Sequence, residues 1–385
     1  MAKIRKRSWK SGGEVKTAWI VDYFDQNRER HIKTFRTRKA AEEWKIPALY
    51  QVQQGTHTAD SKSIMIEEAA ELWIARCERD DLEQSTLQGY RSHVKYHIKP
   101  MLGSAKLSRL TAPRVQEFVD QLLTEGRSRA LTKKIISSLS SIIGEAQRRG
   151  LVSQNVAREV RIRLPKRERG RPEMPTQDEL RLILADASGR WRPLIVTLIF
   201  TGLRGSEARG LKWDDVDLEQ RVLRVRQRVD QWGVFGPPKS AAGTREIPLA
   251  PIVVNTLREW KLACPRRGVK KDEDGNVIDP GELVLVFPNT RGNVESHANI
   301  LQRGFHPLQV EHGIVDAAGK AKFSLHALRH AAAALFIDHG VSMKRLQSIL
   351  GHESIVMTAD LYGYLFDLRD DDRDGLAQLG ARVLA

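Results

Sequence analysis

The stretch KFSLHALRHAAAALFIDHG, residues 322–340, decides how the chain is read. It reads as a long helix, capped by Ser324 and closed by Gly340. Inside it, HALRH (326–330) sets His326 and His330 one helical turn apart, on a shared face. That is a common spacing for zinc ligands on a helix. A helical zinc-protease site carries a glutamate directly after the first histidine, however, and here Ala327 stands there, with no third ligand signalled nearby. Arg329 lies three residues after His326, so both can project to one side. A guanidinium presents a planar fork of donors that suits phosphate oxygens, and imidazole adds another. The pair suits phosphate better than metal. For either histidine alone, a satisfied core position is the plain alternative.

Working outward, residues 176–385 form the largest unit. TQDELRLILADAS opens with a capping box from Thr176 to Glu179. WRPLIVTLIFTG (191–202) is a buried helix, and TGLRGSEARGLKW (201–213) sets Arg204 at the start of the next, with Glu207 three residues on to hold it. RVLRVRQRV (221–229) and TREIPL (244–249) are strand-like, with DQWGVFGPPKSAAG (230–243) between them as a loop that carries Lys239. In LQSILGHESIVMTADLYGYLF (346–366), Gly351 stops a helix, His352 follows, and Tyr362 and Tyr364 come on the next helix. Taken singly, each has a plain counterpart: a surface ion pair, a solvated lysine, an aromatic pair in the core.

Ahead of this unit, residues 1–58 begin with a basic arm. AWIVDYF and RERHIKTF then suggest a small hairpin sheet, and RKAAEEWKIPALYQVQQG a helix closed by Gly55. Residues 62–160 read as four helices in a compact bundle. The second helix carries Arg91, Lys95 and Lys99 about a turn apart, a basic stripe for DNA; the third has Thr111 as cap, Pro113 in its first turn and Gly126 at its stop. RIRLPKRERGRPEMP (161–175) is a charged run between prolines, a basic linker or a solvated tether.

Composition narrows the partner. The chain has 385 residues, 41% of them hydrophobic, and a net charge of +15. Such an excess points to a polyanion. No stretch approaches the roughly 20 apolar residues of a spanning helix, and the basic N-terminus has no apolar run behind it, so neither a membrane nor a secretory signal is expected. Cys77 and Cys264 stand far apart, which excludes a disulfide framework and a cysteine zinc site. There is no GxGxxG and no Walker lysine, so nucleotide binding is not supported. The acidic DEDG (272–275) reads as a surface turn, because its glycine falls too early for a calcium loop.

The order of the signals is more specific than any one of them. Arg204 in TGLRGSE, Lys239 ahead of REIPL, His326 and Arg329 in HALRH, and His352 and Tyr362 in LGHESIVMTADLYG together resemble the active-site set of the tyrosine recombinases, the phage-integrase family. The likeness is strong over 176–385; the N-terminal module and bundle resemble, by layout, the arm-binding and core-binding domains of three-domain integrases. The fold implied is mainly α (α+β): a helical core-binding bundle, a mostly helical catalytic domain with a small antiparallel sheet, and a small β-sheet and helix module at the N-terminus.

The activity implied is cleavage and rejoining of duplex DNA without metal, cofactor or ATP. Arg204 and Arg329 would clamp the phosphate, and Tyr362 would attack it to form a 3′-phosphotyrosine. The surrounding cations would make its phenolate easier to reach. Lys239 would protonate the leaving 5′-oxygen; His326 and His352 would donate to the phosphate, and His326 would also be placed to handle the nucleophile's proton; Glu207 and His330 would orient Arg204 and the helix, though plain packing serves His330 as well. The resemblance also implies a clamp around DNA carrying core and arm-type sites and a homo-tetramer joined by exchange of the tail helix in DLRDDDRDGLAQLGARVLA (367–385). It implies DNA-bending and directionality proteins as helpers, and work on the DNA of a bacterial host's cytoplasm. Two departures stand out: Tyr364 where many relatives have histidine, and an enlarged, unassigned segment at 262–285. Relaxation of DNA in the manner of a type IB topoisomerase, and a non-catalytic regulator on the same fold, are the alternatives.

Overall fold

A computed structural model of the protein describes residues 2–366, apart from 13, 56, 62, 161, 163–172 and 273. The linker run therefore lies largely outside the described residues, and the tail helix wholly so. The chain divides into two compact units, 1–167 and 168–385.

The first unit begins with β1 (Lys3–Ser11), β2 (Glu14–Phe24) and β3 (Arg30–Phe35), an antiparallel sheet in the order β1-β2-β3. The expected basic arm is thus its first strand, paired with β2 from Lys3–Asp22 to Ser11–Glu14. Its alternation is masked by charge. Ile4 turns towards the sheet's apolar side, where α1 (Arg38–Gln53) packs with Val21, Tyr23, Ala41 and Trp44. Arg5 and Arg30 face the other way and share Asp22.

The bundle follows: α2 (Ile66–Arg79), α3 (Gln84–His93), α4 (Ala112–Thr124) and α5 (Arg129–Arg148). Thr111 caps α4 by accepting from the Arg114 N–H, as Ser128 caps α5. The helix of α3 runs on through a π turn (Val94–Ile98) into a last turn, Lys99–Leu102. Pro100 explains the widening: it has no N–H to give and its ring crowds the preceding turn. Val115, Phe118 and Leu122 of α4 interleave with Ile135, Leu139 and Ile142 of α5, each of them buried. Each such side chain contributes about 1.5–3 kcal/mol.

The second unit is built on α6 (Gln177–Asp186) and α7 (Trp191–Thr201). The Thr176–Glu179 capping box forms, and α7 is buried on nearly every side. Then come α8 (Gly205–Gly210), β4 (Val216–Asp217), β5 (Val222–Val225), β6 (Arg228–Val229), β7 (Phe235–Gly236), β8 (Arg245–Pro248) and α9 (Pro251–Ala263). Strands β4, β5 and β8 form one antiparallel sheet in the order β4-β5-β8. The stretch expected as a loop contains β7, which pairs back on β6. The enlarged segment contains a hairpin of β9 (Lys270–Lys271) and β10 (Val277–Asp279), and Asp272 accepts from the Asn276 N–H between them; Glu273 of DEDG lies outside the described residues. A helical stretch with a π turn (Ile300–Phe305) leads to α10 (Leu325–Asp338), the helix of HALRH, then α11 (Met343–Leu350) and α12 (Ile355–Phe366). The fold is the expected α-dominated one with small antiparallel sheets. Among the described residues no helix is long and apolar enough to cross a membrane.

Candidate active site

Two helix ends frame the site. Helices α7 and α11 both stop at a glycine in the left-handed region, Gly202 (φ 65) and Gly351 (φ 64). Both are tightly packed, Gly202 against side chains and Gly351 against a backbone carbonyl. A Cβ on Gly202 would lie 2.9 Å from the Leu350 side chain, and one on Gly351 would lie 2.9 Å from the Ala242 carbonyl. The carbonyls freed at these ends carry the negative pole of each helix and hold cations. Arg329 donates to the Gly202 oxygen at 2.7 Å and to the Leu350 oxygen at 2.6 Å. Arg204 donates to the Gly351 oxygen at 3.1 Å.

Glu207 ties the set together. It accepts from the Arg204 guanidinium at 2.6 Å and from the Arg204 backbone N–H at 2.9 Å, as its spacing predicts. It is far from a surface pair, since Glu207 is 2% exposed. Its second partner, Arg245, has no place among the sequence-predicted site residues. Arg245 donates to both carboxylate oxygens, at 3.1 and 2.9 Å, and also to the Ile349 oxygen at 2.6 Å and the Gly243 oxygen at 2.9 Å. Burial works to raise the Glu207 carboxyl, but Arg245 and then Arg204 outweigh it and hold it below the usual range. Two guanidiniums thus share one carboxylate, while the third, Arg329, is held by backbone carbonyls. Burial, and next the Arg204 charge, push the Arg329 guanidinium down. A buried excess of positive charge of this kind is relieved by an anion.

The histidines and tyrosines sit on the neighbouring helices. His326 and His330 stack edge to face, 4.7 Å apart. His330 faces the other way along the site: its Nδ1 lies 2.8 Å from the Tyr362 hydroxyl. The partner comes from α12, which no spacing on α10 reveals. His352 pairs through Nδ1 with Thr358 at 2.9 Å and stacks parallel to Tyr362, 6.5 Å between ring centres. Burial, and then neighbouring charge, lower His326 and bring His330 and His352 down to about 4, so all three are neutral near pH 7. Tyr362 is 1% exposed. Burial pushes its phenol up to about 12 against the pull of Arg329, so the cations do not make the phenolate easy to reach in this state. The attraction of Arg329 acts in the expected direction, and desolvation outweighs it.

Lys239 stands apart from the cluster. It is exposed, and among the described residues no hydrogen bond or ion pair holds it. Its loop nevertheless reaches the site, through Ala242 against Gly351. The basic stripe on the bundle is exposed and partly paired: Arg91 with Glu78 at 2.6 Å and Lys99 with Glu67 at 3.2 Å, while Lys95 lies over Tyr96. For metal, the one His/Asp/Glu group of suitable spacing among the described residues is Asp25, Glu29 and His31. Asp25 there accepts from the Asn27 and Glu29 N–H groups and pairs with His31, which makes it the staple of a turn.

Comparison with known proteins decides the family. The profile described as "Phage integrase family" matches residues 174–367, half of the chain and the whole of this cluster. The chain belongs to the phage integrase family. A second profile, the N-terminal SAM-like domain of phage integrases, matches residues 65–123 of this integrase. It is 25% identical to a XerC-like tyrosine recombinase of Caldanaerobacter subterraneus subsp. tengcongensis, covering 92% of this chain and 94% of that one. It is 24% identical to the ICEBs1 integrase of Bacillus subtilis, over 92% and 93%. Among solved structures, the Tn1549 transposon integrase in complex with transposon right-end DNA shares the fold at TM-score 0.63 and 21% identity, over 84% of this chain and 100% of that one. The integrase is an enzyme of the tyrosine recombinase class, which cuts and rejoins DNA strands.

Proposed function

We propose that this integrase recombines two specific DNA sites through a 3′-phosphotyrosine at Tyr362, and so inserts and excises a mobile element. One observation carries the reading: Arg204, Arg245 and Arg329 converge on two helix ends, with Glu207 as the carboxylate that Arg204 and Arg245 share. A backbone phosphate supplies the missing negative charge. Arg204 and Arg329 clamp its non-bridging oxygens, with His326 and His352 as further donors. Tyr362 attacks in line, and Lys239, on its exposed loop, protonates the leaving 5′-oxygen. The bond energy is kept in the phosphotyrosine, so a 5′-hydroxyl of another strand rejoins without ATP.

In this reading residues 1–58 bind arm-type sites, 62–160 bind core sites with Arg91, Lys95 and Lys99 at the backbone, 161–175 cross the DNA, and 176–385 catalyse. The working assembly is a tetramer on DNA, joined by the tail helices, with bending and directionality proteins as helpers, in a bacterial cytoplasm. The ICEBs1 and Tn1549 integrases belong by name to mobile elements, and the lambda integrase, alike in fold at TM-score 0.58, is described as a tetramer bound to a Holliday junction. These support the reading.

The test is capture of a covalent adduct on duplex cut from the DNA flanking the gene. The adduct should vanish in Tyr362→Phe and persist in Tyr364→Phe, with binding kept in both. Relaxation of plasmid without recombination between two sites would favour the topoisomerase-like alternative. Binding without any adduct would favour a regulator.

A further inference from the structure

The Tyr362 phenol has almost no contact with water, since the residue is 1% exposed. When its oxygen bonds to phosphorus, the proton must pass to a protein group. We infer that His330 is that group: its Nδ1, 2.8 Å from the Tyr362 hydroxyl, takes the phenol proton as the nucleophile attacks. This rests on Tyr362 being the nucleophile, as proposed above.

The geometry excludes the other nearby bases. His352 has its Nδ1 on Thr358, and its ring lies parallel to the phenol ring, an arrangement that does not aim a nitrogen at the hydroxyl. His326 meets the edge or face of His330, not the phenol. Glu207 is held by two arginines. His330 is neutral in the folded protein, so with its proton on Nε2 the Nδ1 lone pair is free to accept. The charged and titratable groups facing it are His326 and Arg329 from its own helix and Tyr362 from α12, with Tyr364 acting on Tyr362. All but the tyrosines disfavour a lasting imidazolium. The proton is held only as long as the phosphotyrosine exists, which suits a reversible step.

The balance closes in both directions. In cleavage the Oη–P bond forms and the P–O5′ bond breaks; the phenol proton goes to His330 Nδ1 and the 5′-oxygen takes one from Lys239. In rejoining the 5′-hydroxyl gives its proton back to the lysine, O5′–P forms, Oη–P breaks, and His330 returns the proton to Tyr362.

The test uses the full chain and a nicked duplex from the flanking DNA, with single-turnover adduct formation followed from pH 6 to 10. His330→Gln should bind DNA as the parent does and form adduct about 100- to 10,000-fold more slowly. Its rate should climb with pH where the parent's is flat, and imidazole in solution should restore His330→Ala at least tenfold. A rate within threefold of the parent with an unchanged pH profile would overturn the inference. So would a faster one, which would mean that His330 locks the phenol away. If the adduct maps to another tyrosine, the reading of the site falls, and this inference with it; if it maps to Tyr362 while His330→Gln reacts normally, only the inference falls. Should the variants fail to fold, nitrogen NMR of histidine-labelled parent and Tyr362→Phe decides. A His330 Nδ1 signal untouched by loss of the hydroxyl means there is no contact and no transfer.

Discussion

At the scale of single residues, Arg245 is the residue the sequence hides. An arginine in TREIPL reads as a solvated side chain on a short strand, whereas Arg204, Glu207, Arg329 and the histidines announce themselves by order. Only the fold brings residue 245 to Glu207 and to the end of α11. Its planar fork spans a carboxylate and two carbonyls, which a lysine's point charge cannot do. Arg245→Lys should therefore let Arg204 drift and slow adduct formation about a hundredfold, the cost of a displacement near 1 Å, with DNA binding little changed. Arg245→Met, which leaves Glu207 buried beside one arginine fewer, should lower unfolding stability by about 3–5 kcal/mol in chemical denaturation. Protonation gives a second prediction. His330 and His352 have folded values near 4, below the ordinary value of 6.5, so the unfolded chain binds protons first as pH falls. Their contribution to stability is complete above pH 6.5 and fades towards pH 4. The melting temperature should drop across that window, and the drop should be shallower in His352→Asn; an identical slope in that variant would count against the buried neutral histidine.

At the scale of elements, caps and breakers made most helices legible: Thr111 and Thr176 both cap the starts of their helices as their sequence position suggests. Two things stayed hidden. β1 looks like a charged arm because Lys and Arg fill the positions that alternate with Ile4, and β7 is too short to show a period. Both form through pairing with a neighbour, which no local pattern encodes. The glycines that end α7 and α11 were legible as stops, but not as the places where a carbonyl must reach an arginine. That role yields a prediction. Gly351→Ala must adopt φ 64 with its Cβ against the Ala242 carbonyl and Arg245. The strain of the left-handed conformation alone is about 1–2 kcal/mol. Because the clash displaces the carbonyl that holds Arg204, adduct formation should fall by more than the stability loss implies. Gly363→Ala, with open space around its Cβ and an ordinary helical backbone, is the control that should leave the fold intact.

At the scale of the whole molecule, the mainly helical class and the polyanion partner were readable from composition and periodicity. The assembly was not: the tail and most of the linker lie outside the described residues, and charge totals do not say which cations meet DNA. Salt can separate them. A net charge of +15, nearly all of it carried by residues 1–167, implies that many phosphates are neutralised on binding, so log K should fall linearly with log salt, by about 0.9 for each one. Cations already held by carboxylates contribute less than free ones, because their partner must be given up. On the outer face of the N-terminal sheet Arg5 is paired with Asp22, whereas Arg7, two residues along the same face, is exposed with no ion pair among the described residues. On the bundle, Arg91 and Lys99 are paired, whereas Lys95 has no ion pair among the described residues and lies over Tyr96. Arg7→Gln and Lys95→Gln should each flatten the salt slope by about one unit on DNA carrying both kinds of site, and Arg5→Gln and Lys99→Gln by distinctly less. If the sheet binds arm-type sites, a duplex with the core site alone should respond to Lys95→Gln and ignore Arg7→Gln. Equal slopes for all four variants on both duplexes would mean that the modules do not divide the DNA between them as proposed.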